Sequence, residues 1–261
     1  MLSKNLIKQV RFLHQKKYRI EEGLFLAEGD KIVCELLTAM PEAYKVRHIF
    51  GLAGWLQRNS RLLSQLTPAT LVHEISDKDL ESLSALHTPN QVVAVVTMPK
   101  QANIAPSSVA ALLPSMVGNY ALALDFLQDP GNMGTILRLA DWFGIKTVFC
   151  SPDCVEAYNP KVVQATMGSL WRVQTHYLPL PELFKCMPPD MPVYGALLNG
   201  ANIHETDFGG QGIVVIGSEG NGIRPDILPY IQYPITIPRH GKAESLNAAV
   251  AAGIICALIC R

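Results

Sequence analysis

From residue 118 onward, short runs of apolar residues recur without the polar alternation of a half-exposed strand, at 120–126, 147–150, 193–198 and 213–216. A strand written this way buries both faces, and such strands belong to parallel sheets covered by helices on either side. The intervening segments carry helical spacing. A turn at Asp129-Pro130-Gly131-Asn132 opens a helix over 133–143, with Asn132 as its cap. Asn159-Pro160 opens another, proline being favoured in a first turn, and 245–260 forms the last helix after a strand at 235–237. Strands alternating with helices predict an α/β domain with a mostly parallel sheet over 118–261.

Residues 1–98 read as a separate, smaller α/β unit. Leu6, Ile7, Val10 and Leu13 fall on one face of a helix over 5–18. Strands follow at 24–27, 46–50 and 71–74, with a helix over 30–39. Ser76 caps a helix over 80–85, and 91–97 is a β-branched strand. Between the two units, 99–117 contains Pro99, Pro106, Ser107, Ser108, Pro114 and Ser115, a composition suited to a linker. A chain of 261 residues is long enough for this division.

Lysine plus arginine equal aspartate plus glutamate at 22 each, so net charge gives no general pull toward a polyanion. Its distribution does. Lys4, Lys8, Arg11, Lys16, Lys17 and Arg19 all precede the first acid, Glu21. Such a strip is either a solvated helix face or a surface that meets phosphates and releases their counterions. Cysteines at 34, 150, 154, 186, 256 and 260 form no C-x-x-C pair and have no histidine at ligand spacing, so no metal site is expected. Cys256 and Cys260 read as small core residues. The apolar stretch 248–259 is too short to span a bilayer. With no leader-like segment recognised, a soluble cytoplasmic protein with reduced thiols is the expectation, with no membrane partner.

Three motifs carry chemistry. The first is Asn132-x-Gly134-x-x-x-Arg138, where a strand turns into a helix. Taken alone it is equally a capped helix whose Arg138 pairs with Asp141 one turn on. The second is GIVVIGSEGNGI at 212–223, a buried strand ending at Gly217 with Glu219 in the loop. Its glycines suggest a dinucleotide loop, but their order and their place late in the chain disfavour that reading. The third is IPRHGKAESLN at 237–247, which leads into a small-residue helix; Ser245 and Asn247 stand at its start, where free N–H groups favour polar ligands. Taken alone it is a packing helix with a capped end.

In order and content the three together resemble the SpoU, or TrmH-like, branch of the SPOUT RNA methyltransferases, over 122–260 and including KVVQATMGSLWRV at 161–173. Residues 1–98, through 24–37 and 86–96, resemble the L30e-like RNA-binding domain that often precedes that catalytic domain. The resemblance implies a deep trefoil knot at the C-terminus, an exception to the rule against threaded loops. It implies S-adenosylmethionine held mainly by backbone groups of three loops. On this sequence those loops carry Leu197, Asn199 and Gly200, then Gly217 and Gly222, then Ile237 and Leu246. It implies a homodimer built through the C-terminal domain.

The resemblance also implies 2′-O-methylation of RNA ribose, with Arg138 in the key role and Asn132, Glu219, Ser245 and Asn247 around it. Because arginine stays protonated, Arg138 suits a phosphate anchor that stabilises a developing alkoxide better than a literal base. Two positions depart from the family's pattern: Arg239-His240 follows Ile237-Pro238 where an apolar residue is usual, and Gln164 replaces a common arginine. Ribosomal RNA is favoured over tRNA as substrate because an L30e-like extension suits structured RNA. A knotted RNA-binding protein without catalysis is the rival, disfavoured by the intact motif residues.

Overall fold

The computed structural model describes residues 2–99 and 116–260, so the linker expected at 99–117 falls, apart from its ends, outside the described residues. Two compact units are present. One contains residues up to 99 together with Glu156–Trp171; the other contains 116–155 and the chain from 172 on.

In the first unit α1 (Lys4–Phe12) and α2 (Lys16–Glu22) precede β1 (Leu24–Glu28) and α3 (Asp30–Ala39). Then come β2 (Val46–Leu52), α4 (Ala53–Arg58), α5 (Ser60–Leu63), β3 (Leu71–Ile75), α6 (Asp77–Leu83) and β4 (Val92–Thr97). The sheet order is β1-β4-β2-β3, with only β2 and β3 parallel. Val10, Leu13, Phe50, Leu80, Leu83, Val93 and Val95 form a core under α1 and α6. The single helix expected over 5–18 is two. Gly23, at φ +64°, closes the second with a left-handed cap that suits glycine.

This break corrects one expectation. Arg19 does not join a basic surface strip; it is only 2% exposed. Its guanidinium forms an ion pair with Glu156 and donates from Nη1 to the Leu13 carbonyl at 2.7 Å. Glu156 opens the segment that returns to this unit, followed by α8 (Pro160–Thr166). There Tyr158 and Trp171 pack against Phe25, at 4.7 and 6.0 Å between ring centres. Lys4, Lys8, Arg11, Lys16 and Lys17 are exposed.

The second unit runs β5 (Tyr120–Leu124), α7 (Pro130–Trp142), β6 (Thr147–Cys150), β7 (Gln174–Tyr177), α9 (Leu180–Lys185), β8 (Val193–Asn202), β9 (Gly212–Ile216), β10 (Tyr233–Thr236) and α10 (Ala248–Ile259). Its sheet order is β10-β8-β9-β5-β6-β7, and every pairing is parallel. Alternate residues fill opposite faces. Ala121, Ala123, Phe149, Ile213 and Val215 pack on one side with Leu180, Leu183 and Phe184 of α9. Leu122, Leu124, Val214 and Ile216, buried on the other face, complete the two-sided burial that the apolar runs predict. β8 is longer than its expected end at 198, and α10 starts at Ala248 rather than Ser245.

Candidate active site

The loops after β5, β6 and β9 emerge at the carboxyl edge of the parallel sheet, where open α/β folds place their ligands. Asp129, not Asn132, caps α7: its Oδ1 accepts the Asn132 N–H at 2.7 Å, with Pro130 in the first turn. That corrects the expected cap and frees the Asn132 side chain for other work. Asn132 Nδ2 donates to Glu219 Oε1 at 2.6 Å. Asn247 Nδ2 donates to Asn132 Oδ1 at 2.9 Å and to the same Glu219 oxygen at 2.5 Å. Asn247 also caps α10, its Oδ1 accepting from the Ala249 and Val250 amides at 2.9 and 3.2 Å. One residue from each motif thus meets in a closed hydrogen-bonded triad. Ser245 is exposed nearby in sequence, and no hydrogen bond joins it to the triad among the described residues.

Glu219 sits on a hairpin that only glycines allow. Ser218 and Gly222 exchange backbone hydrogen bonds at 3.0 and 2.9 Å, and Gly222 has φ +64°. A Cβ on Gly217 would stand 2.1 Å from the Gly222 carbonyl carbon. Substitution there must open the loop. A second close approach occurs in β8. Gly195 pairs with Pro234 and Ala201 with the next residue, Ile235, so the segment between them is thrown out of register. A Cβ on Gly200 would lie 2.6 Å from the backbone of Pro234. Leu197 and Asn199 belong to that excursion. Leu197 and Ile237 are half-buried, and Leu198 and Leu246 are 72% and 44% exposed.

Arg138 is exposed, and among the described residues it has no hydrogen-bond or ion-pair partner. The pairing with Asp141 does not form: Asp141 accepts Arg172 through Nε and Nη2 at 2.8–3.0 Å. Between α7 and α10 runs an apolar groove of about 550 Å³, lined by Leu139, Phe143, Val250, Ile254 and Ala257, that ends at Asn132 and Asn247.

Sequence reasoning missed Asp125 and Arg224. Asp125, fully buried at the end of β5, accepts the Arg224 backbone N–H and its Nε, both at 2.8 Å. The carboxylate beside it raises the Arg224 pKa. The available signal was an acidic residue ending an apolar strand, which a buried partner must neutralise. Nearby, Cys154 is lowered to about 7, chiefly by its hydrogen bond with Cys150, whose own thiol burial pushes up. No cluster of metal-ligating side chains occurs among the described residues.

A model of the SpoU rRNA methylase family matches residues 119–257, more than half of the chain and the whole of the sheet just described. The chain belongs to the SpoU rRNA methylase family. A model of an MRM3-like substrate-binding domain matches residues 4–94. Among SpoU relatives, an uncharacterized tRNA/rRNA methyltransferase of Synechocystis is 32% identical, covering 96% of this chain and 88% of its own. The Bacillus subtilis 23S rRNA (guanosine(2553)-2′-O)-methyltransferase RlmP is 30% identical over 95% of this chain and 93% of its own. A TrmH-family protein from Porphyromonas gingivalis has a solved structure that superposes with a TM-score of 0.83 at 37% identity, covering 99% of this chain and 98% of that one. The fold is therefore the mixed α/β, largely parallel fold of the SpoU/TrmH methyltransferases.

Proposed function

We propose that this chain transfers a methyl group from S-adenosylmethionine to a ribose 2′-hydroxyl of ribosomal RNA. The observation that carries the reading is the Asn132–Glu219–Asn247 triad, which ties the three motif loops together; Arg138 lies on the helix that carries Asn132, exposed and without a hydrogen-bond or ion-pair partner among the described residues. Ribosomal RNA is preferred because the family and RlmP are named for it. The Synechocystis relative, whose name includes tRNA, supports tRNA as the second reading. S-adenosylmethionine, when bound, supplies an electrophilic methyl on a good leaving group.

What remains for the protein is to orient the hydroxyl and manage its proton. Leu197, Asn199, Gly200, Gly217, Gly222, Ile237 and Leu246 would hold the donor through their loops. Arg138, always charged, anchors a neighbouring phosphate and stabilises negative charge on the ribose oxygen. Glu219, with one oxygen taken by two amides, keeps the other for the substrate side, and Ser245 offers a hydroxyl at the same edge. The trefoil knot at the C-terminus belongs with this reading, with 237–247 one of its three donor-holding loops.

Residues 1–98 serve as the RNA-binding domain, 99–117 as the linker and 118–261 as the catalytic domain. Lys4, Lys8, Arg11, Lys16 and Lys17 supply phosphate contacts. A second copy covers the apolar groove between α7 and α10, giving the homodimer. No helix among the described residues is long and apolar enough to cross a membrane, and a cytoplasmic site of action suits a ribosomal substrate. The test has two parts: calorimetry with S-adenosylmethionine, and mapping of 2′-O-methyl sites in ribosomal RNA from a deletion strain. Failure to bind the donor at high concentration would end the enzyme reading. A lost site in tRNA rather than ribosomal RNA would select the second.

A further inference from the structure

We infer that Asp125 and Arg224 are positioning residues: a clamp anchored on the buried Asp125 carboxylate that sets the Glu219 hairpin against the Asn132 loop so that the triad can close. The inference rests on the methyltransferase reading of that site. Asp125 continues the β5–β9 pairing, its N–H reaching the Ile216 carbonyl at 2.9 Å, and its side chain is wholly buried. Both of its oxygens are used. Oδ2 accepts the Arg224 backbone N–H at 2.8 Å; Oδ1 accepts Nε at 2.8 Å and Nη2 at 2.7 Å. The remaining Nη1 donates to Asp153 at 3.0 Å in the loop after β6, and the guanidinium lies 5.8 Å from the Phe126 ring centre. One side chain thus joins the ends of three adjacent parallel strands.

Each contact is placed to matter for the triad. Phe126 is held at φ +55°, a conformation unusual for a bulky residue, with its N–H on Ser151 Oγ at 2.9 Å. From Phe126 the chain runs directly to the Asp129 cap and Asn132. On the other side, Arg224 follows the hairpin closed by Ser218 and Gly222. That hairpin keeps its own shape through its backbone bonds, so what the clamp adds is its placement. Only an arginine can do this: the planar fork supplies parallel donors that a lysine's point charge lacks.

The experiment compares Arg224→Lys and Asp125→Asn with the wild type. Turnover on ribosomal RNA from a deletion strain is measured per folded molecule, together with donor affinity and melting temperature. We expect kcat to fall roughly 100-fold, the scale of an ångström of misplacement, a larger loss than any weakening of donor affinity that accompanies the displaced hairpin. If both variants turn over within about twofold of wild type and only melting changes, the clamp is a structural staple and the proposal is wrong. Hydrogen exchange gives a readout that does not need activity: in Arg224→Lys, amides of 218–222 and 132–134 should exchange faster together. Unchanged protection in both segments overturns the proposal even if the wild type itself transfers no methyl, an outcome that would instead remove the methyltransferase reading.

Discussion

Asn247 performs two tasks with one side chain, and they can be separated. Its Oδ1 caps α10 while its Nδ2 reaches Glu219 and Asn132. Asn247→Asp retains the cap, since a carboxylate at a helix start accepts the same amides and suits the dipole. It replaces the donor with a second negative oxygen facing Glu219, and like charges at that range repel. The expected outcome is a melting temperature close to wild type with methyl transfer reduced at least about 100-fold. Asn247→Ala should lose about 1 kcal/mol of stability as well. Arg138 offers the complementary case, being exposed and without a structural partner among the described residues. Arg138→Ala should leave donor affinity and stability unchanged and lower kcat by about 10² to 10³, with Arg138→Lys between, keeping charge without the fork. Near-full turnover by Arg138→Ala on the true RNA would end its assignment.

At the scale of elements, β2 and β3 pair in parallel with His48 Nδ1 3.1 Å from His73 Nε2, both rings stacked with Phe50. Burial lowers the pKa of His48, helped by the charges of His73 and Arg47, and burial lowers that of His73. A folded pKa below the unfolded one means the unfolded chain binds more protons between the two values. Stability from this pair is therefore present above about pH 6.5 and lost as pH falls below it. His73→Leu should flatten the fall in melting temperature between pH 7 and 5; an unchanged slope would show that other groups dominate. Which elements were legible follows the same physics. β5, β6 and β9 write two-sided burial into their composition, and the α3 bounds at 30–39 were plain. β7 is a sheet-edge strand of polar and half-buried residues, with no run to read. The register excursion in β8 depends on how Pro234 and Ile235 lie beside it, which no local pattern encodes. The triad's members were legible from motif order, but the Asp129 cap that releases Asn132, and the Asp125–Arg224 pair, required three-dimensional neighbours.

The whole molecule departs most from chain order at Glu156–Trp171, which packs with the N-terminal unit although the segments flanking it do not. The N-terminal family match, residues 4–94, does not reach this segment. Its contribution is concentrated in named contacts. Glu156 neutralises Arg19, which is almost fully buried, while Tyr158 and Trp171 cover Phe25 and Tyr44 bonds to the Leu170 carbonyl at 3.1 Å. Removing one member of a buried pair leaves an uncompensated charge, an effect on the order of 3–5 kcal/mol. Glu156→Ala should thus lower the urea midpoint of the transition that reports on the N-terminal unit, followed by Trp55 fluorescence in a chain whose Trp142 and Trp171 are replaced by Phe. A fragment ending at residue 99 lacks the same partner and the aromatic cover. It should unfold at lower urea than that unit does within the full chain, with Arg19→Leu recovering part of the difference by removing the stranded charge. A fragment as stable as the intact unit, or a Glu156→Ala midpoint shift worth less than about 1 kcal/mol, would show that the first 99 residues hold their core without the returning segment.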